Sequence, residues 1–442
     1  MKQRDVFWFW LPLFASWLLM TAEGPIVSAT INRLPNEVIM LAAQGIVVSL
    51  SVTIESPIIN MLATSTALVR DRASFLLVRR FTVHWMLGLT AVTVAIAFTP
   101  LFDLVVVRLL EAPPAVARWV RPGLQIMTLW SAAIAWRRFL QGVLIHFNQP
   151  RKVAWGTAVR LLASGGTAVS LAMLTQWPGV IIGATSLMAG VISEAAYATW
   201  AIRPLLRHEL SPDSPVAPGD PLTYRQLFWF HLPLAATTLL TLLAQPLVTF
   251  TLARLDNPTE SLAAWPVLFQ VMLMARAAAF ALPEVVIALS QKPDTFLPLR
   301  RFSLNLTVVL TVAITFFVFS PTANFYIFIV QDMTETVGSL AMSSLAFFIL
   351  YPGLATLTSW LRGLLIHHHA TRDVNVGMAI NLTITAVFLF GGLALHTPGL
   401  ITAAIALNIA SLGEVLYLIW RVSLKLPAHL PLFGPARLSV SN

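Results

Sequence analysis

The chain has 442 residues, 57% of them hydrophobic and only 11% charged, with a mean hydropathy of +0.79. That balance excludes a soluble globular domain and requires repeated passage through a bilayer. The absence of cysteine excludes disulfides, iron–sulfur clusters and thiolate metal sites. The net charge of +9 sits in loops between apolar runs, where it favours retention in the cytoplasm, so no nucleic-acid partner is expected.

A spanning helix takes about 20 apolar residues, and the chain reads as twelve of them. They cover residues 7–32, 38–68, 81–109, 119–146, 153–175 and 179–206, then 225–254, 261–290, 302–330, 339–368, 375–396 and 398–422. The first run could be mistaken for a cleaved leader. It recurs, however, in mid-chain: Phe7-Trp8-Phe9 and Leu11-Pro12-Leu13 match Phe228-Trp229-Phe230 and Leu232-Pro233-Leu234 at an offset of 232 − 11 = 221. Pro25 matches Pro246, Arg79-Arg80-Phe81 matches Arg300-Arg301-Phe302, and Leu144-Ile145-His146 matches Leu365-Ile366-His367. After a one-residue deletion Glu194, Tyr197 and Trp200 match Glu414, Tyr417 and Trp420. Two copies of one membrane-embedded unit are the signature of a repeat-built transporter.

The polar break at 208–224, with Pro212, Pro215, Pro218, Gly219 and Pro221, lies between the copies and reads as a linker. The expected organisation is therefore an N-terminal six-helix lobe (1–207), a cytoplasmic linker (208–224), a C-terminal six-helix lobe (225–425) and a cytoplasmic tail (426–442). Basic residues crowd one set of loops, among them Arg70, Arg72, Arg151, Lys152, Arg203, Arg207 and Arg372. That side is cytoplasmic by the positive-inside rule, which puts both termini inside the cytoplasmic (inner) membrane. An even number of helices per half makes the repeats parallel, with the expected cavity between them.

An ionisable group at bilayer depth costs roughly 2.5–3.5 kcal/mol and usually faces a cavity or a partner. Glu23, Glu55, Arg160, Arg276 and Glu284 have no like-charged copy and are the candidates for function. Glu23 stands beside Gly24-Pro25, where a kink frees backbone carbonyls, and could hold a proton or coupling cation. Glu55 corresponds to Arg276 (276 − 55 = 221), so the two could form a gate or a fixed ion pair. Arg160, replaced by Asn381 in the second copy, would suit an anionic group or could snorkel. Glu284 could partner Arg276 from two turns away. The duplicated Glu194 and Glu414, and His146 and His367, read as structural braces. The run His367-His368-His369 lacks carboxylates at ligand spacing, so no metal site is expected. No phosphate loop, nucleophile elbow or zinc-protease helix is present, which argues against an enzyme.

Helix four ends in Arg138-Phe139-Leu140-Gln141-Gly142. With Pro12-Leu13, Asn32-Arg33, Leu41-Ala42-Ala43-Gln44-Gly45, Ser49-Leu50 and Arg70-Asp71-Arg72 in order, the chain resembles the multidrug/oligosaccharidyl-lipid/polysaccharide (MOP) exporter superfamily. That superfamily includes the multidrug and toxic compound extrusion (MATE) proteins; the local likeness is to the progressive ankylosis branch. The resemblance implies an all-α polytopic fold of twelve helices in two parallel six-helix repeats. It also implies a secondary active transporter, an antiporter exporting small organic solutes by alternating access, driven by a proton or sodium gradient and needing no bound cofactor. The ankylosis-like branch is associated with small anions, which Arg160 and Arg276 would suit. The family's helix-one aspartate aligns near Val27, and Glu23 lies four residues earlier on the same face. A flippase for a lipid-linked saccharide is the alternative. Lipid and a small-molecule substrate are the expected partners, and the protein is expected to be a monomer.

Overall fold

The structure, a computed structural model, describes residues 2–212, 220–290, 295–368, 370–425 and 432. Most of the tail expected at 426–442, the core of the linker at 213–219, and His369 lie outside the described residues. Among the described residues the fold is helical and contains no strand.

Among the described residues ten helices are long and apolar enough to cross a membrane. They are helix one (Gln3–Ile31), two (Glu37–Leu68), three (Arg72–Phe98), five (Pro150–Leu174), six (Gly179–His208), seven (Tyr224–Leu252), eight (Pro258–Leu289), nine (Phe296–Phe319), eleven (Thr371–Ala394) and twelve (Gly399–Ser423). Helix ten is a pair, Glu335–Phe348 and Tyr351–His367, bent by 45°. Helix four is the broken run Pro114–Ile126, a short 3-10 turn Met127–Leu129, and Trp130–His146. Arg118, Arg121, Arg137 and Arg138 dilute its apolar character, which is why it does not stand out by composition.

The breaks repeat as faithfully as the sequence. Helix one breaks at Ala22 and helix seven at Leu243, and 243 − 22 = 221. Pro25 and Pro246 explain both, since each ring clashes with a carbonyl four residues back and donates no N–H. Helices two and eight break at Asn60 and Ala281, again one offset apart.

Two helix limits differ from expectation. The runs at 81–109 and 302–330 each merge two elements: helix three ends at Phe98 and helix nine at Phe319, and short π-helical segments follow at Asp103–Leu109 and Phe325–Val330. Thr99 and Ser320 are extended because Pro100 and Pro321 follow them. Helix three begins earlier because Asp71 accepts the Ser74 backbone N–H at 2.8 Å and caps it. Arg79, Arg80, Arg300 and Arg301 therefore lie inside helices.

By contact the chain groups into two compact units. One comprises 23–266; the other comprises 1–22 with 267–442. This partition cuts helices one and eight and so differs from the division of the sequence into repeats. In the first unit Phe75, Phe81, Phe139, Leu144, Ala198 and Leu227 share one apolar core. In the second, Val6, Trp10, Leu282, Phe302, Trp360 and Leu418 do the same.

Candidate functional site

Five helices of the first repeat bring their charges to one buried cluster. Glu23, just after the break of helix one, is 7% exposed. Both of its oxygens accept from Arg160 Nε of helix five, at 3.1 and 3.0 Å, and Arg160 Nη2 adds a further bond. Arg160 Nη1 also lies 3.7 Å from Glu194 of helix six. Glu194 accepts from Arg137 at 3.0 Å and from Gln141 Nε2 at 2.8 Å. Arg137 and Gln141 are four residues apart in helix four and so share a face. Helix six is glycine where it passes the pair: a Cβ at Gly190 would stand 3.0 Å from Glu23 Oε1 and 3.1 Å from the Arg160 carbonyl.

Glu55 of helix two completes the cluster. It is buried, and its Oε2 has no hydrogen-bond partner. Arg137, Arg160 and Arg138 are its electrostatic neighbours, and the indole N–H of Trp130 faces it. Three carboxylates thus stand among three guanidinium groups, a composition hostile to a metal cation. Glu23 has both oxygens tied to Arg160. Glu55 does not.

The second repeat is built on a reduced plan. Glu414 accepts from Arg362 Nε at 2.8 Å and from Asn381 Nδ2 at 3.0 Å. Arg362 stands where the first repeat has Gln141, and Asn381 where it has Arg160 (362 − 141 = 221 and 381 − 160 = 221). Arg276 donates through Nη1 to the Tyr351 hydroxyl at 2.8 Å. Its guanidinium lies 4.6 Å from the Tyr351 ring centre and 5.2 Å from that of Phe280. Arg276 Nε is buried without a partner, and no carboxylate pairs with Arg276 among the described residues. Tyr351 in turn replaces Trp130, over whose ring Arg160 lies at 5.7 Å. Glu284 is exposed and forms no ion pair with Arg276.

The histidines lie apart from both clusters. His146 Nδ1 is 2.8 Å from the Thr66 carbonyl oxygen, joining the end of helix four to that of helix two. His367 packs edge-on against His368.

The structure therefore joins Glu23, Arg160, Glu194 and Glu55, four residues that sequence alone singled out separately. Arg137, Trp130, Arg362 and Tyr351 escaped notice. One signal was available for two of them: a buried glutamate needs a guanidinium, and Arg137 and Arg362 each stand on the helix-four-type face that carries Gln141.

No protein-family model matches the sequence, and no curated protein matches it. Solved structures do. The inward-facing conformation of a multidrug resistance MATE family transporter of the MOP superfamily superposes with a TM-score of 0.70 at 13% identity, over 96% of this chain and 99% of that one. A MOP superfamily transporter from Pyrococcus furiosus, described as having a binding pocket of reverse polarity, gives 0.63 at 12% identity over 96% of each chain. The lipid II flippase MurJ in an inward closed conformation gives 0.70 at 13% identity, over 93% of this chain and 87% of that one. Over 96% of its length, the chain has the fold of the MATE transporters.

Proposed function

We propose that this protein is a secondary active transporter that exports small organic solutes, anions foremost, by alternating access. It works without enzymatic chemistry and runs on an ion gradient. The reading rests on an asymmetry inside a duplicated bundle. Both repeats hold the same brace of one glutamate, one arginine and one amide. Taking it away leaves Glu23, Glu55, Arg137 and Arg138 in the first repeat, and Arg276 and Glu284 in the second. Charges at bilayer depth that no symmetry explains are charges kept for function.

The observation that carries the reading is Glu55, a buried carboxylate with an unpartnered oxygen among arginines. Glu55 is assigned the coupling proton; Glu23 holds Arg160 in place beside it. Arg276, lacking an acidic partner, is assigned to the substrate. The protein is read as a monomer of the cytoplasmic membrane, which the family likeness supports, and the basic loops favour both termini inside.

The test is solute movement in vesicles containing the purified full chain under an imposed pH gradient. Glu55→Gln is expected to abolish gradient-driven movement. Unchanged movement would remove Glu55 from coupling. A second reading, a flippase for a lipid-linked saccharide, is favoured by the likeness to MurJ and by the unpaired Arg276. Translocation of a labelled lipid pyrophosphate in the same vesicles, with no movement of soluble anions, would select it.

A further inference from the structure

His231, in the first half of helix seven, is completely buried. Its Nε2 lies 2.9 Å from the Pro57 carbonyl oxygen, and its Nδ1 lies 2.9 Å from the Thr64 hydroxyl. Both partners belong to helix two and flank its break at Asn60. Asn60 itself donates to the Leu234 carbonyl oxygen at 2.9 Å and to the Thr238 hydroxyl. Four side-chain hydrogen bonds thus hold the first half of helix seven against the break in helix two.

The other repeat contains the same dock in apolar form. Trp10 Nε1 donates to the Ala278 carbonyl oxygen at 2.9 Å; 231 − 10 = 221 and 278 − 57 = 221, so the bond is the repeat counterpart of the one from His231. Around it, however, Ala281 and Val285 stand where Asn60 and Thr64 stand, inside one hydrophobic cluster with Trp10. One dock is sealed by hydrocarbon. Its twin is built around a titratable ring.

The partners of that ring suit it to both protonation states. A carbonyl acceptor obliges Nε2 to donate. Nδ1 instead faces a hydroxyl, which either donates or accepts, and Thr64 Oγ1 also lies 3.2 Å from the Asn60 carbonyl oxygen. With a neutral ring Thr64 donates to Nδ1. When the ring gains a proton, Nδ1–H donates to Thr64, whose own hydrogen turns to Asn60.

The surroundings offer the proton no counter-charge. Helix three contributes the rings of Phe81 and Trp85, 5.4 and 5.7 Å away, and His84, whose Nδ1 is 2.9 Å from the Tyr224 hydroxyl at the start of helix seven. Helix two contributes Glu55, which lies among the arginines at 137, 138 and 160 and forms no ion pair with His231. No carboxylate pairs with His231 among the described residues.

We propose that His231 is a second proton-binding site, whose occupation releases the first half of helix seven from helix two. A cation buried there without a partner is costly, and hydration relieves the cost. Imidazole is the side chain that changes charge nearest neutrality. The purpose of such a site rests on the transporter reading; the site itself does not.

The cysteine-free chain permits a direct test. Nitroxides are placed at Ala67→Cys on helix two and Phe228→Cys on helix seven, both exposed and each three residues from the Thr64–His231 contact, in the full chain reconstituted in nanodiscs. Their dipolar broadening is read at about pH 8 and about pH 4, the lower value lying below the whole ordinary imidazole range. Broadening is expected at the higher pH and is expected to collapse at the lower. In His231→Gln, whose amide donates to Pro57 and accepts from Thr64 but takes no proton, broadening persists at both. Identical spectra at the two pH values with His231 present overturn the proposal, as does a pH response that survives His231→Gln. The first outcome needs no His231 variant, so misfolding of that variant does not protect the idea. A normal spectral response with no solute movement in vesicles would sink the transporter reading and leave this one standing.

Discussion

Glu194 and Glu414 each have one amide and one guanidinium at the same two helix positions, with the partners exchanged. The first accepts from the Gln141 amide of helix four and has the Arg160 guanidinium of helix five 3.7 Å away. The second takes a guanidinium from helix ten and an amide from helix eleven, Arg362 and Asn381. Arg137 then adds a second guanidinium to Glu194. Conservation of the composition of a brace while its parts trade places is what satisfying a buried carboxylate requires, since the energy depends on the set of donors and not on which helix supplies them.

That exchange can be tested by reversing it. Arg362→Gln alone leaves Glu414 without a cation and is expected to lower stability by about 2 kcal/mol, less than the ~3–5 of a fully sealed pair because Arg362 is partly exposed. Adding Asn381→Arg recreates the first repeat's arrangement and is expected to restore most of the loss. Thermal unfolding in detergent reads both. A double variant no more stable than the single one would show that the two positions are not interchangeable.

Glu23 and Glu55 are expected to separate in stability as they do in function. Glu23→Gln strands Arg160, whose remaining carboxylate is 3.7 Å away, and should cost about 3 kcal/mol. Glu55→Gln removes a buried charge that has an unpartnered oxygen and should leave unfolding unchanged or raise its midpoint. Equal losses in the two variants would mean that Glu55 is also a brace.

Close helix contacts give a third expectation. At Gly142 an added Cβ would collide with the Leu62 carbonyl and come within 2.7 Å of the Ser65 Cβ, so helix four cannot approach helix two with any side chain there. Gly142→Ala is expected to cost about 1–3 kcal/mol through overpacking. Gly166, also helical, has open space around its Cβ position and should tolerate alanine. Comparison of expression and unfolding midpoint decides, and equal behaviour of the two variants counts against the tight crossing.

The duplication and the twelve helices were legible in the sequence because apolar runs and repeated motifs are local properties. The ends of helices three and nine were not. Arg79 and Arg80 look like loop residues, yet long basic side chains can snorkel from inside a helix, and the true stop lies at Thr99-Pro100. The charged cluster was half legible. Glu23 and Arg160 are both conspicuous, but they are separated by 160 − 23 = 137 positions, and no periodicity links positions so remote. Arg137 was hidden beside Arg138, its neighbour in a recognisable motif. His231 gave no signal: the repeat aligns it with Trp10, a residue of different chemistry, and only the shared acceptor position shows that both side chains dock on equivalent carbonyls.

Arg276 bears on what the protein carries. Its guanidinium is held by the Tyr351 hydroxyl and by two aromatic rings, which fix its direction without neutralising it. An anion arriving there meets a preorganised charge; an organic cation meets repulsion. In counterflow assays with citrate and tetraethylammonium as probes, the unmodified protein is expected to move the anion. Arg276→Gln should abolish that movement. Arg276→Lys keeps the charge but loses the planar stack and the fixed bond, so it should retain transport with weaker apparent affinity. Tyr351→Phe removes one charge-assisted hydrogen bond, worth about 1.5–3 kcal/mol, and is expected to weaken apparent affinity while sparing the maximal rate. Preference of the unmodified protein for the cation would overturn the assignment of Arg276 and the anionic substrate class together.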